Sequence, residues 1–289
     1  MDYGLIKEIN QLDFNFDDNL ISNIGELEKA QSKIHEALIK ARMRKLMQDY
    51  GERDTDIYVV TYPKSGTTLM QMILYQMTTL GKMNFDHIYD VSPWFRFAAY
   101  YNKKMPDLDD RRIIKSHDDY EILREVEKGK FIFIVRDLPD VLVSLLHHVR
   151  SYNDPKAELD KLVDRKMKEW FDYNVYWIKN PNGLKILYLN YEDIVNNKEE
   201  VVAKIADFIN VTLDKAKLNR IINRTSLKFM KTYESKFGEQ PEQWKTYDNF
   251  IRKGKVGEGK SAFTDQQADK YQQLSNEYMI EGTVLERYF

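Results

Sequence analysis

An α/β fold, with a central parallel sheet flanked by helices, is predicted on two observations. Four short apolar runs stand at 56–61, 112–115, 131–135 and 185–190, and helix-length segments alternate with them. Strands that alternate with helices pair in one direction, because each helix carries the chain back across a sheet face.

Ahead of the sheet, Ile24, Leu27, Ile34, Leu38 and Ala41 recur at three-, four- or seven-residue steps through charged sequence, which predicts an amphipathic helix before the main fold. The first strand, 56–61, leads into a loop over 62–67 and an apolar helix from 68 to about 80. The runs at 112–115 and 131–135 are of buried-strand type, and Pro139 suits the first turn of the next helix, where a missing N–H costs nothing. After the fourth run at 185–190, the pattern leaves helices around 199–209, 214–223 and 265–280, with another before it at 159–178. There is no internal repeat and no low-complexity segment. One domain over 1–289 is expected, with a helical flank at 1–50 and a basic flap at 250–262. Ligands of such sheets bind beyond the carboxyl ends of the strands.

Composition narrows the partners. The chain is 43% hydrophobic and 31% charged with a net charge of −2, so it exerts no global attraction on nucleic acid or acidic membranes and any anion site must be built locally. With no cysteine there is no disulfide framework and no thiolate metal site. The first residues lack the charged and apolar regions of a secretory signal, and no stretch approaches the roughly twenty apolar residues that span a bilayer. A cytoplasmic protein with neither a nucleic-acid nor a membrane partner is expected.

Three clusters carry chemistry. In Pro63-Lys64-Ser65-Gly66-Thr67-Thr68 the glycine permits a tight turn, the first helical N–H groups point outward, and hydroxyls plus an ammonium add donors, which makes a phosphate-binding loop. An ordinary capped helix with a solvated Lys64 is the plain alternative. A Walker loop requires a glycine separated by four residues from a Gly-Lys-Ser/Thr run, whereas here Lys precedes Ser-Gly. Arg136 directly follows the third strand and Ser144 lies eight residues on in the next helix, so both can reach one anion, although Arg136 can equally pair with Asp137 or Asp140. The stretch from Ile251 through Arg252, Lys253, Gly254, Lys255, Val256, Gly257, Glu258 and Gly259 to Lys260 sets four cations and three glycines in irregular sequence, either a flap over a phosphorylated ligand or a solvated loop.

The runs Thr61 to Thr68, Ile114-Lys115-Ser116-His117, Val135-Arg136-Asp137 to Ser144, Tyr191-Glu192-Asp193, Thr225-Ser226 and Arg252-Lys253-Gly254 occur in the order seen in cytosolic sulfotransferases, and the chain resembles that family over about 200 residues. The resemblance implies a central parallel sheet, 3′-phosphoadenosine 5′-phosphosulfate as donor, 3′-phosphoadenosine 5′-phosphate as product, a small-molecule acceptor and no metal. It implies that Lys64, Ser65, Gly66, Thr67 and Thr68 hold the 5′-phosphosulfate. Arg136 and Ser144, completed by Arg252, Lys253 and Gly254, hold the 3′-phosphate. Tyr191 and Thr225 correspond to adenine contacts, and His117 to the catalytic base. Imidazole titrates near operating pH, which suits removal of an acceptor proton. Lys64 is then expected to neutralise charge on the departing oxygen, and Lys115 to stabilise the sulfuryl oxygens. Of the other histidines, His147 and His148 are neighbours on a helix and make a poor metal pair, while His35 and His87 have no motif around them.

The chain also departs from the family pattern. Leu69 and Leu227 stand where aromatic residues flank adenine, Gly259 stands where tryptophan is usual, and the segment 260–269 matches the dimer-forming motif only at Lys260 and Thr264, which leaves the oligomeric state open. Asp118 and Asp119 follow His117 where Leu-Pro is common. Two acids there favour an acceptor carrying an amine or guanidinium group, unless they simply start the next helix. The competing classes are a P-loop-type nucleotide kinase, which needs magnesium, and a nucleotide-binding module without catalysis.

Overall fold

The four apolar runs become four parallel strands: β1 Ile57–Thr61, β2 Ile113–Ser116, β3 Lys130–Val135 and β4 Ile186–Asn190, in the order β2-β1-β3-β4. The computed structural model describes residues 20–152, 154–238, 250–259 and 261–289, so Lys260 of the expected flap lies outside it. Residues 20–52 and 94–105 form one compact unit, and residues 53–93 with 106 onward form the other.

In the larger unit the strands of the centre read as continuous apolar runs because both sheet faces are covered. Every residue of β1 and β2 is buried, while β4 at the edge buries only Leu189. On one face Ile57, Val59, Ile132 and Ile134 join Met70, Ile73 and Leu74 of α2 (Thr67–Thr78) and Val202 and Ile205 of α8 (Lys198–Phe208). On the other, alternate positions are aromatic. The Tyr58 and Phe131 rings stack at 4.6 Å, and Phe133 stacks at 5.6 Å on Trp177 of α6 (Leu159–Lys179). Each such ring contact contributes roughly 0.5–1.5 kcal/mol beyond its buried area.

Of the remaining helices, α5 Leu138–Tyr152, α9 Lys215–Arg224 and α11 Asp265–Glu277 stand where the pattern places them, α4 Tyr120–Leu123 begins directly after Asp118 and Asp119, and the short helices α7 Tyr191–Asn196 and α10 Leu227–Thr232 are not among those expected. Two ends differ from expectation. Helix α2 stops at Thr78, not near 80, because Arg220 of α9 donates to the Gln76 and Thr79 carbonyls at 2.7 and 3.0 Å and Gly81 then turns the chain at φ +68°. Helix α11 stops at Glu277, and Met279 follows at φ +50°. Asp56 and Arg112 precede their strands instead of opening them, and each spends its side chain on the other in a buried bidentate pair of 2.7 and 2.6 Å.

In the smaller unit a 31-residue helix, α1 (Leu20–Tyr50), packs with α3 (Phe95–Tyr100). Arg96 pairs with Glu36 at 3.0 Å and Tyr50 meets Phe95 edge-on. Among the described residues of α1 the buried positions are Ile39 and Met43, four residues apart, whereas Leu27, Ile34, Leu38 and Ala41 of the expected stripe are exposed and the side chain of Ile24 lies outside the described residues. Among the described residues no helix is long and apolar enough to cross a membrane.

Candidate active site

All four strands end at one edge of the sheet, where Thr61 pairs with Ile134, Val60 with Ser116 and Val135 with Asn190. The segments leaving that edge carry Lys64 from β1, His117 from β2, Arg136 from β3 and Tyr191 from β4. With β1 central and β2 and β3 on either side, the chain crosses over between them, which is where sheets of this kind open a crevice.

The loop after β1 is tightly drawn. Lys64 adopts φ +69° and Gly66 φ +98°, and a Cβ on Gly66 would stand 2.5 Å from Cδ2 of Tyr191, so only glycine fits. Gly66 caps α2 without a side-chain hydrogen bond, which leaves the first N–H groups of that helix as donors. Ser65 is buried, and its Oγ has no hydrogen-bond partner among the described residues. Thr67 Oγ1 and Thr61 Oγ1 hydrogen-bond at 2.7 Å, and Lys64 Nζ lies 5.0 Å from the centre of the Phe250 ring.

His117 turns back on β1. Its Nδ1 lies 2.8 Å from the Thr61 carbonyl, which can only accept, so Nδ1 carries the proton and Nε2 presents a lone pair. Burial first, and then Lys115 and Lys64, hold the imidazole well below its ordinary pKa, so it is neutral at physiological pH. His148 on α5 is pushed down to about 3 by burial and by the same two lysines, which marks it as a second neutral imidazole within their field. Lys115 is 8% exposed, and its Nζ donates to the Tyr89 hydroxyl at 2.7 Å. Tyr89 sits in a 3₁₀ turn capped by His87, whose Nδ1 accepts the Tyr89 N–H at 3.2 Å.

Arg136 is a junction. Its Nη1 donates to the Lys64 carbonyl at 3.0 Å and its Nη2 to the Lys255 carbonyl at 3.3 Å, with the guanidinium 4.4 Å above the Tyr191 ring. Nη2 also lies 3.6 Å from Asp140. Arg136 Nε is buried with no partner among the described residues, and so is Arg252 Nε. Arg252 and Lys253 are both paired with Glu258, at 2.5 and 2.9 Å. Gly254 turns at φ +59° over Leu227. Ser144 is half-buried on α5, one turn beyond Asp140.

Thr225 is buried and donates its hydroxyl to the Ile221 carbonyl at 2.7 Å. Leu69 packs at the margin of the core, and Leu227 is 42% exposed. Asp118 is buried: the Ser116 hydroxyl donates to its carboxylate at 2.8 Å while its own N–H donates to Ser116 Oγ at 2.9 Å. Asp119 is exposed at the start of α4.

The structure therefore gathers Lys64, Ser65, Gly66, Thr67, Lys115, His117 and Arg136 at one sheet edge, and links the flap to them through Arg136. Sequence reasoning missed Thr61, Tyr89, His148, Glu258 and the flap's contact with Asp140. Of these, His148 carried a usable signal, since it lies four residues, one helical turn, after Ser144.

The sulfotransferase domain family matches residues 54–283. An amine sulfotransferase from Oryctolagus cuniculus is 27% identical over 261 residues, 84% of this chain and 86% of the relative. Sulfotransferase 2A1 from Homo sapiens is 27% identical over 257 residues, 83% and 89% of the two chains. Mouse sulfotransferase SULT7A1 complexed with PAP superposes with a TM-score of 0.65 at 22% identity, covering 85% of this chain and 91% of that one. Retinol dehydratase in complex with androsterone and inactive cofactor PAP gives 0.66 at 18%, covering 82% and 84%. At such identity these two structures speak for the fold. The match over 54–283 takes in all four strands, the loop after β1 and the flap, and this chain belongs to the sulfotransferase domain family.

Proposed function

We propose that this protein transfers a sulfuryl group from 3′-phosphoadenosine 5′-phosphosulfate to a hydroxyl or amine on a small molecule. The observation that carries the reading is a neutral imidazole whose Nδ1 proton is held by the Thr61 carbonyl, in the field of two lysines beside a phosphate-type loop. Three buried polar groups, Ser65 Oγ, Arg136 Nε and Arg252 Nε, lack partners among the described residues. Groups of this kind suit a phosphorylated nucleotide, because unmet buried donors are otherwise expensive.

When bound, the donor supplies the sulfuryl group. Lys64, the Ser65 hydroxyl and the first N–H groups of α2 would hold its 5′ end, with Thr67 and Thr68 in the same turn. Arg136, Ser144, Arg252, Lys253 and Gly254 would hold its 3′-phosphate, and Tyr191 and Thr225 border the base. His117 Nε2 takes the acceptor proton as the acceptor–sulfur bond forms. The bond from sulfur to the bridging oxygen breaks and its electron pair stays on that oxygen, where the Lys64 ammonium neutralises it. Lys115, steadied by Tyr89, faces the sulfuryl oxygens. No metal enters this scheme, and no covalent enzyme intermediate is needed.

The name of the rabbit relative supports an amine as one acceptor class. Selection of a cationic acceptor would fall mainly to Asp119, because the Asp118 carboxylate is engaged with Ser116. Competition between matched cationic and neutral acceptors in wild type and Asp119→Asn reports that preference as a ratio.

The deciding assay incubates the protein with labelled donor and a panel of amines and alcohols, with and without chelator. Chelator-insensitive transfer is expected, reduced at least about 100-fold by His117→Ala or Lys64→Ala in variants that keep their fold. Magnesium-dependent phosphoryl transfer would favour the kinase class. Nucleotide binding without turnover would favour the binding module.

A further inference from the structure

We propose that Asp140 is a positioning residue that clamps the basic flap over the donor site, an inference that rests on the donor-site reading above. Asp140 is 1% exposed, and both of its carboxylate oxygens reach the flap: Oδ2 accepts the Gly257 N–H at 2.8 Å and Oδ1 accepts the Gly259 N–H at 2.6 Å. Arg136 Nη2 approaches the same carboxylate to 3.6 Å while donating to the Lys255 carbonyl. One buried acid thus ties together two flap amides and the arginine that spans from the flap to the loop after β1.

The chemistry calls for such a role. An acid close to a phosphate site repels the ligand unless its charge is already spent, and here two N–H donors and a guanidinium spend it. The start of the flap is held elsewhere, with Phe250 and Ile251 packed on the core and the Ile251 N–H bonded to Glu234, so the Asp140 contacts act on its far part, 257–259. The flap contains no helix or strand within 250–259, and Gly254 and Gly257 both sit at positive φ, so the unclamped segment has many conformations to lose.

Gly259 completes the clamp by its lack of a side chain. A Cβ there would stand 2.2 Å from the Pro139 carbonyl carbon and 2.4 Å from the Asp140 nitrogen, so flap backbone lies directly on the first turn of α5. Any side chain at 259 would lift the flap from Asp140. The flap must open to admit the donor and release the spent nucleotide, and the Asp140 contacts set how firmly it stays shut.

Two variants with two readouts test this. Asp140→Ala removes both acceptors, and Gly259→Ala evicts the flap sterically while leaving the carboxylate in place. In the unliganded protein, hydrogen exchange of the 257–259 amides should accelerate at least about ten-fold in each variant, with β1 to β4 unchanged. In turnover, donor KM should rise at least about ten-fold with kcat changed by less than about three-fold, since the chemical groups remain in place. A merely structural role for Asp140 would raise exchange throughout the sheet and lower kcat together with stability.

Flap exchange that stays at the wild-type rate in the variants overturns the clamp. Should Asp140→Ala fail to fold, Gly259→Ala decides by the same criterion. The exchange measurement is independent of turnover, so a protein that transfers no sulfuryl group would sink the donor-site reading while the clamp is still judged on exchange.

Discussion

Replacing Gly66 by alanine tests whether the loop after β1 is built as described. Gly66 sits at φ +98°, a conformation that holds an L side chain at a penalty of about 1–2 kcal/mol. The new methyl would meet Tyr191 Cδ2 at 2.5 Å and Cε2 at 2.8 Å. Since carbon atoms settle near 3.5–4.0 Å, the ring must retreat by about 1 Å. That retreat draws Tyr191 from beneath Arg136, now 4.4 Å above it, and forfeits about 0.5–1 kcal/mol of cation–π attraction. Together with repacking around a ring that is itself buried, the destabilisation comes to about 2–4 kcal/mol. Urea unfolding monitored by tryptophan fluorescence measures it, with and without adenosine 3′,5′-bisphosphate. Combining Gly66→Ala with Tyr191→Ala isolates the collision, because the double variant should be less destabilised than the sum of the singles by about 1 kcal/mol or more. Strict additivity, or a Gly66→Ala protein within 0.5 kcal/mol of wild type, would refute the reasoning.

Three further outcomes follow from the electrostatics. The acid limb of kcat/KM should lie below pH 6.5, because burial and then Lys115 depress the His117 pKa and keep it a base; Lys115→Met should move the limb up toward 6.5, and a limb that stays put would remove Lys115 as a cause. Asp137 is pushed up to about 7 by burial and then by Asp140 and Glu192. A folded state that keeps this proton longer than the unfolded chain loses stability as pH rises from about 4 to 7, by up to about 4 kcal/mol, so Asp137→Asn should stabilise the protein at pH 8 and much less at pH 5. An equal gain at both pH values would exclude titration of Asp137. Finally, Glu258 occupies Arg252 and Lys253 in place of a phosphate, so Glu258→Gln should tighten adenosine 3′,5′-bisphosphate binding about three-fold or more while leaving adenosine 5′-phosphate unchanged by calorimetry.

What the sequence made legible was local. The central strands stood out because burial on both faces requires unbroken apolar runs, and the loop stood out because a positive-φ glycine before a helix start has few substitutes. The edge strand β4 has the same apolar look but buries only Leu189 fully, whereas β2 at the other edge is buried throughout, a difference that apolar runs alone do not reveal. What stayed hidden depends on pairs far apart in the chain. Lys115 meets Tyr89 across 26 residues, His117 meets Thr61 across 56, and Asp140 meets Gly259 across 119. No spacing rule reaches such pairs. The contrast between Asp118 and Asp119 was closer to hand, because alternation along an extended chain sets residues 116 and 118 on one side, and serine two residues before aspartate can bond to it.

The buried Asp56–Arg112 pair lies at the end of β1 and β2 farthest from the reacting groups, yet it bears on them. Sliding β2 by one residue against β1 would move Lys115 to the opposite sheet face and carry His117 away from the Thr61 carbonyl. Apolar branched residues pack tolerably in either alignment and discriminate weakly between them. A bidentate ion pair does not, since a slipped alignment strands two charges without water. Hydrophobic replacements at both positions can therefore leave a protein that melts as high as wild type but populates misaligned sheets, in which catalytic impairment arises from alignment and not from loss of any group that touches a ligand.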